Sequence, residues 1–529
     1  SLRAVRHPGA RAGSVMAALL LQAVGLLPTE YFIGLEPLRF LLVLLVVSEP
    51  VVRWRARLLT ALKAWLPYLV LWLLNAAWLI YYYRSGLYIS YDTVAVQTAP
   101  SVSSLVLVLV DAIWKVGFYV WLQIVPLVSA AFASPTSVAT IALAVASLAA
   151  LGLYLSRLDI MSTREVPSDS SAPTGPQVSA ARPTQAWLTM LIGLLGLLLG
   201  RIPSWAAGLP LTLQSSFDRL TISMMLGASL FVAGLLLLIP SNRIRTGILA
   251  ALLALGIGQQ FWNANIFRRD WERQQDIYWQ MAWRMPALRP NTAILAQQMP
   301  LDYETDLAMT AALNWMYASE VTRPNLPYAV IYTEKRLGGA ALPALQPGLP
   351  IRLPFRTLQF NGNTSQVVVV EVPTSGCLRV FDPADGSPEI YPRLPESIAA
   401  AIPLSDPDLI STNAAPKELP APPFDREPSH GWCYFYEKAE LARQIGDWEE
   451  VMSLHASGPG QPEDALEWFP FIEAEARAGD QTWARQKSLE ILASDRKLER
   501  GLCALWTRVQ SSQPGGAAPE VLAAMGCTQ

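Results

Sequence analysis

Residues 246–289 read TGILAALLALGIGQQFWNANIFRRDWERQQDIYWQMAWRMPALR. The character of the chain changes at Phe261. Residues 246–261 carry no charge. Then Trp262, Phe267, Arg268, Arg269, Trp271, Arg273, Tyr278, Trp279, Trp283 and Arg284 follow in close succession. A bilayer core about 30 Å thick needs roughly 20 apolar residues of helix. The stretch therefore reads as the end of a membrane region, 1–261. An amphipathic juxtamembrane helix follows at 262–289, resting on lipid headgroups with arginines on phosphates.

Working outward, the two sides of this junction differ in charge. Residues 1–261 hold 17 Lys and Arg against 9 Asp and Glu, a net of +8. Residues 262–529 hold 23 against 33, a net of −10. The whole chain has 529 residues, 52% hydrophobic and 16% charged. So much apolar surface excludes a disordered chain. Interleaved aromatic and basic residues can bind nucleic acid. Here they leave a membrane helix and enter an acidic half, so lipid, not nucleic acid, is the expected partner.

Upstream, long apolar runs lie at about 13–28, 31–47, 66–83, 102–128, 136–155, 186–200, 220–240 and 246–261. Backbone polar groups in hydrocarbon must pair internally, so these are expected as helices. A buried soluble core fails as an alternative, because the intervening segments are too short to form a water-facing shell. The first run follows Arg3, Arg6 and Arg11 and is read as a retained membrane helix, since no small-x-small cleavage site follows it.

Lys and Arg in short loops mark the cytoplasmic side. The N-terminal tail, 48–65, 156–185 and 241–245 together hold 12 of the 17 basic residues. Placing all four inside requires an even number of crossings between 48–65 and 156–185, where three runs lie. The run 102–128 is nominated as the irregular one. It carries Asp111 and Lys115 inside an apolar stretch, which is costly in lipid, and Pro126 weakens its end. Seven spans plus that segment, with a flexible linker at 162–181, carry everything beyond Phe261 out of the cytoplasm. Loops 84–101 and 201–219 then face outward. They hold Arg84, Asp92, Asp218 and Arg219. Asp92 and Asp218 are candidate catalytic acids, by the chemistry of a carboxylate beside a lipid interface. Arg84, Arg219, Arg268 and Arg269 are candidate lipid or phosphate contacts. Solvated loop charges are the plainer alternative.

The second half begins as a small mixed α/β domain, 290–400. Expected strands are 292–297, 328–333, 356–360, 367–372 and 377–381, with a helix over 305–318 and turns at Asn361-Gly362 and Asp385-Gly386. Asp302, Glu304 and Asp306 could hold a divalent cation, or serve a helix N-terminus with Asp306 as cap. Residues 382–429 are Pro-rich, with 401–430 read as an extended connection and 511–529 as a flexible tail. No GxSxG, HExxH or P-loop pattern occurs. Four cysteines and three histidines, with no CxxC, argue against a zinc site. In an oxidising compartment Cys433 with Cys503 is a candidate bridge; buried thiols are the alternative. No metal or other cofactor is indicated.

Residues 431–510 return to helical periodicity. Gly446-Asp447 and Gly479-Asp480 stand 33 residues apart, each after a helix with small residues for close packing. This resembles the tetratricopeptide repeat, whose period is 34 residues. That resemblance implies a protein or peptide partner at 431–500, and no chemistry. The expected fold class is thus an α-helical polytopic membrane bundle with a C-terminal soluble α/β domain and tetratricopeptide-like hairpins.

The layout of many apolar helices, an acid in a short outer loop and an outer C-terminal domain resembles membrane glycosyltransferases that use polyprenyl-phosphate-linked sugars. The resemblance implies an outer-loop acid as base, for which Asp92 is the nearest candidate. It departs from that family in lacking an adjacent acidic pair after the first span. The Trp-rich stretch and Ala312-Leu313-Asn314-Trp315-Met316-Tyr317 also resemble uncharacterised multi-spanning bacterial membrane proteins, which assigns no activity. The expected role is envelope assembly or scaffolding, with a transferase or a transporter component as alternatives.

Overall fold

Apolar runs that must pair their own backbone groups become helices, and the computed structural model carries them so. It describes residues 11–27, 30–47, 54–85, 104–125, 134–162, 183–213, 217–321, 323–355, 358–412, 419–458, 460–513 and 516–527. The chain forms two units, one ending at Arg268 and one running from Arg269 onward.

The first unit holds α1 (Arg11–Leu26), α2 (Glu36–Val46), α3 (Trp54–Arg84), α4 (Ser104–Ala112), α5 (Pro135–Ser162), α6 (Pro183–Ala206), α7 (Ile222–Leu237) and most of α8 (Asn242–Arg284). Among the described residues, six helical stretches are long and apolar enough to cross a membrane: Trp54–Tyr82, Ser104–Leu122, Pro135–Arg157, Thr184–Ala206, Asp218–Leu237 and Asn242–Arg284. This is a multi-pass membrane architecture.

Two expectations are corrected. The run 31–47 is broken: a 3-10 turn, Glu30–Leu35, leads into α2, which has only 11 residues and Pro37 in its first turn. At 1.5 Å per residue α2 is about 16 Å long, half a bilayer core. The run 102–128, set aside as irregular, is instead among the six. It is irregular in a different sense: α4 passes into a π-helical turn, Ile113–Phe118, and then a 3-10 turn, Tyr119–Leu122. If the three long helices Trp54–Tyr82, Ser104–Leu122 and Pro135–Arg157 all cross, the basic segments 48–65 and 156–185 lie on opposite sides. The placement of all four basic segments together then fails.

Helices α6 and α7 pack through glycine. A Cβ added at Gly227 would stand 2.0 Å from the Leu197 backbone nitrogen, and one at Gly193 2.1 Å from that of Phe231. Gly200 and Gly234 are equally crowded by backbone across the interface. In lipid, where apolar side chains gain little by meeting, close backbone approach supplies the attraction.

α8 runs without a break through the boundary at Phe261. Its last turns do not rest on lipid. Ile277, Tyr278, Met281 and Met285 are buried in the protein core of the second unit. The aromatic spacing was read as an interface stripe; Tyr278 and Trp283 are instead buried, whereas Phe267 and Trp271 earlier on the helix are exposed.

That core lies on one face of a four-stranded sheet ordered β3 (Tyr328–Tyr332), β1 (Thr292–Ala296), β6 (Val367–Glu371), β7 (Arg379–Val380). β1 runs parallel to both neighbours, and β7 is antiparallel to β6. The strands are covered on both faces, so they read as continuous apolar runs. Ile294, Val330 and Val368 face the α8 side with α9 (Asp306–Ala318); Leu295, Ile331 and Val369 face the other side. There a three-stranded sheet of β2 (Asn325–Leu326), β5 (Leu358–Asn363) and β4 (Pro350–Phe355) supplies Ile351, Leu353 and Phe360. Asn361-Gly362 is therefore inside a strand and makes no turn; Asn361 pairs with Arg352. α9 also closes the free edge of β3. The Asn314 side chain donates to the Tyr328 carbonyl at 2.8 Å and accepts its N–H at 3.2 Å, and Thr310 does the same for Val330.

α10 (Thr333–Arg336) follows β3. The Pro-rich stretch after β7 is more ordered than an extended connection. α11 (Glu396–Ala401) and short 3-10 turns put Ile398, Ala401 and Ile402 into the second core. The remainder is α12 (Trp432–Gln444), α13 (Trp448–Ala456), α14 (Phe469–Ala478), α15 (Gln481–Ser494), α16 (Glu499–Ser512) and α17 (Ala518–Met525), three successive helical hairpins. α17 lies in the segment expected as a flexible tail. Asp447 and Asp480 cap α13 and α15, accepting N–H bonds at 2.9 to 3.1 Å. That is the reason for the spaced Gly-Asp pairs.

Candidate functional site

Polar groups inside the membrane unit are few, so each one asks for an explanation. Glu36 opens α2 and is buried. Its carboxylate accepts from Trp65 Nε1 at 2.9 Å, Arg39 Nε at 3.0 Å and Gln22 Nε2 at 3.3 Å. Arg39 lies over the Tyr68 ring, 4.7 Å from its centre. The carboxylate thus ties α1, α2 and α3 together, with Arg39 as its counter-charge. Trp72 Nε1 adds a bond to the Ile33 carbonyl at 2.8 Å, which holds the 3-10 turn against α3.

A second cluster joins α4 to the end of α6. Asp111 and Lys115 pair at 3.0 Å across the start of the π-helical turn. Lys115 Nζ also donates to the Leu211 carbonyl at 3.0 Å, and Arg201 Nη2 to the Leu209 carbonyl at 3.0 Å. Leu209–Leu213 is non-helical, yet Leu211 is buried beside Ala112, Val116 and Leu197. Irregular backbone buried among apolar helices needs donors for its carbonyls. The two cations provide them. Arg201 Nε is buried and meets no partner among the described residues. π-Helical turns commonly mark functional positions.

The second unit contains a small cleft of a different kind, lined by Arg379, Asp385, Tyr391, Tyr436, Glu440, Arg443, Glu473 and Arg508 with apolar neighbours. Arg443 reaches Asp385 at 2.7 Å and Glu440 at 3.0 Å; Glu473 takes Arg508 at 2.9 Å and Arg477 at 2.8 Å. Asp385 and Glu473 are buried, which raises a carboxyl pKa, but the arginines, Arg443 foremost, overcome this and hold both below the usual range. Every charge that lines the cleft is thereby engaged by another. The network fastens α12, α14 and α16 to the segment after β7.

Two carboxyls beside it differ. Glu467 accepts the Cys377 N–H at 2.7 Å, and burial pushes its pKa up to about 7. Glu437 is fully buried and among the described residues neither oxygen finds a hydrogen-bond donor, so burial holds its pKa well above the usual range.

Where the structure describes them, the candidate acids and arginines fall on three elements. Asp92 lies outside the described residues. Asp218 begins a 3-10 turn, Asp218–Thr221, half-buried, with Arg219 exposed beside it. Arg84 is exposed at the end of α3, and Arg268 and Arg269 are exposed on α8. Cys433 pairs with Cys377 and Cys503 with Cys527, at Cα separations of 5.3 and 5.7 Å. The expected Cys433–Cys503 bridge is therefore corrected: each of those sulfurs is bonded to a closer neighbour. The acidic trio is also split. Asp306 is locked to buried Arg336 at 2.6 and 3.0 Å, Asp302 is exposed, and Thr305, not Asp306, caps α9. Among the described residues no group of His, Cys, Asp and Glu is placed to hold a metal ion.

Glu36, a charge inside the run 31–47, and Arg201, directly after the run 186–200, were missed. No protein-family model, curated protein or solved structure matches the chain.

Proposed function

We propose that this chain is a multi-pass membrane protein that carries its C-terminal unit outside the cytoplasm, where the helical hairpins serve as a docking platform in envelope assembly. The observation that carries the reading is that all four cysteines are closed into two disulfides. Such bonds persist in oxidising compartments and are rare in the cytosol. Three helices from Pro183 to Arg284 are each long and apolar enough to cross, and three crossings would put segment 156–185 and the C-terminal unit on opposite sides. The arginine network supports the platform role, since it holds successive hairpins in one arrangement. The tetratricopeptide-like spacing of the hairpins supports a protein or peptide ligand. A photo-crosslinking residue at exposed Ile445 tests this in intact cells. A discrete adduct that survives washing supports docking, and its absence at every exposed hairpin position overturns it.

A transferase acting on a lipid-linked sugar is the second reading. One observation favours it: buried Glu36 follows the first apolar helix, near where the glycosyltransferase layout would put an acid. Membranes supplied with a labelled polyprenyl-phosphate sugar distinguish the two. Sugar transfer lost in Asp92→Ala or Glu36→Gln at normal protein levels would replace the docking reading.

A further inference from the structure

α12 packs a polar face inward. Cys433, Glu437, Glu440 and Gln444 recur at intervals of four, three and four residues, which sets them along one side of the helix. Cys433 is bonded to Cys377, and Glu440 is paired with Arg443. Gln444 accepts from Arg284 Nη1 at 2.9 Å and donates to the Pro407 carbonyl at 2.7 Å. Arg284 is the last residue of α8 and is itself buried. Trp283 beside it meets the Tyr434 ring edge-on, so the end of α8 touches α12 near both of its ends. Glu437 lies between those contacts and differs from its neighbours. It is wholly buried, and among the described residues neither carboxyl oxygen meets a donor. The groups that face it are Arg284 from α8, Arg379 from β7, Glu467 from the 3-10 turn Ala465–Trp468, and Glu440 and Tyr436 from α12 itself. Their bonds go elsewhere: Arg379 to Glu371 and Asp464, and Glu467 to the Cys377 N–H. A neutral carboxyl can occupy such a seat. A carboxylate there has no donor, and an unpaired buried charge is far costlier than an unpaired neutral group. Hydrating it requires α12 to part from the end of α8.

We propose that the seam between α8 and α12 is a latch, closed while Glu437 is neutral and loosened when Glu437 ionises, with the Arg284–Gln444 contact released. The other side of α12 stays fastened. The Cys377–Cys433 disulfide is covalent, and Arg443 holds Asp385 at 2.7 Å, so α12 remains with the segments around β7 while its hold on α8 is lost. Burial pushes Glu437 well above the usual carboxyl range and Glu467 up to about 7. A carboxyl whose pKa is higher in the closed state holds that state fully below the open-state value and progressively less as pH rises. The latch therefore opens with rising pH. His430 stands at the rim of the same seam, stacked on Tyr434 and paired with Glu427 at 3.2 Å. It is exposed, so its charge is met by solvent in either state. The inference concerns the second unit alone and does not depend on the docking reading.

Hydrogen exchange read by mass spectrometry tests it, on the full chain in detergent with both disulfides intact. The series runs between about pH 5.5 and 7.5, with rates corrected for the intrinsic pH dependence of exchange. A helix owes most of its protection to its packed face, so release shows as lost protection in α12. Protection over 434–444 should fall by up to about tenfold per pH unit, the limit for one titrating group, while β1 and β3 keep theirs. Glu437→Gln, which stays neutral, should retain the acid-side protection throughout. His430→Gln should leave the wild-type loss in place. If Glu437→Gln does not fold, the wild-type series and His430→Gln still decide the matter. Protection over 434–444 that ignores pH, an equal loss in β1 and β3, a wild-type profile in Glu437→Gln, or a flat profile in His430→Gln would each overturn the proposal.

Discussion

The two units handle polar groups in opposite ways. In the membrane unit they are scarce and are met singly: Arg201 and Lys115 by loop carbonyls, Glu36 by Gln22 and Trp65 from the neighbouring helices and by Arg39 on its own helix. Contact between α6 and α7 comes from glycines that let backbones meet. In the C-terminal unit charges are pooled. Asp385, Glu440, Glu473, Arg443, Arg477 and Arg508 form one network, backed by two disulfides. The difference follows from solvent. Lipid penalises any charge without a fixed partner, whereas a water-facing domain tolerates many charges provided they satisfy one another.

The comparison breaks most sharply under reduction. Opening both disulfides should destabilise the C-terminal unit by about 3–4 kcal/mol per bridge, from the loops of 56 and 24 residues they close. The membrane unit contains no cysteine and should keep its melting transition. Calorimetry with and without reductant reads both, and a parallel loss in the two units would contradict the separation.

Arg443→Met comes next. It strips Asp385 and Glu440 of their main partner and should cost about 3–5 kcal/mol. Adding Asp385→Leu and Glu440→Leu should recover much of that loss in a denaturant titration. If the single variant is neutral, the network is ornamental.

Gly227→Val is the membrane counterpart. Its Cβ would press on the Leu197 backbone, which has no rotamer to yield, and overpacking typically costs about 1–3 kcal/mol. Thermal scanning in micelles should show earlier unfolding, whereas the same change at Gly256, which has open space, should be tolerated apart from helix propensity.

The smallest effect is in pH. Glu467 is raised from about 4.5 to about 7 by burial. Its protonated form is favoured in the folded state. The stability it contributes is full below the unfolded pKa and is lost as pH rises through 7. Glu437 acts in the same direction. The Tm of the C-terminal unit should fall by a few degrees between pH 5 and 7.5, and Glu467→Gln should flatten that slope. An unchanged slope would remove Glu467 from the account.

What could be read from the chain depended on range. β1, β3, β6 and α9 were legible because consecutive residues carry their pattern, and so were most long apolar helices. The break at 31–47 was signalled by Glu36 and Pro37 yet outweighed by the apolar residues after them. β4 and the strand character of Asn361-Gly362 were hidden, because strand pairing overrode a turn signal. Partners far apart in sequence left no local trace: Arg508 finds Glu473 35 residues away, Arg379 finds Asp464 85 away, and Arg443 finds Asp385 58 away. Four cysteines permit three pairings, and spacing does not choose among them. The charge cluster of α4 was seen as Asp111 with Lys115, but Arg201 joins it only through the fold.

The most direct measurement is surface labelling of intact cells with a membrane-impermeant maleimide, using Asn361→Cys with both native disulfides retained. Asn361 is exposed on β5, so an extracytoplasmic C-terminal unit predicts labelling without permeabilisation, while Ser170→Cys, in the linker between membrane segments, stays unlabelled. Labelling of position 170 alone would place the disulfide-bearing unit in the cytoplasm and contradict the account.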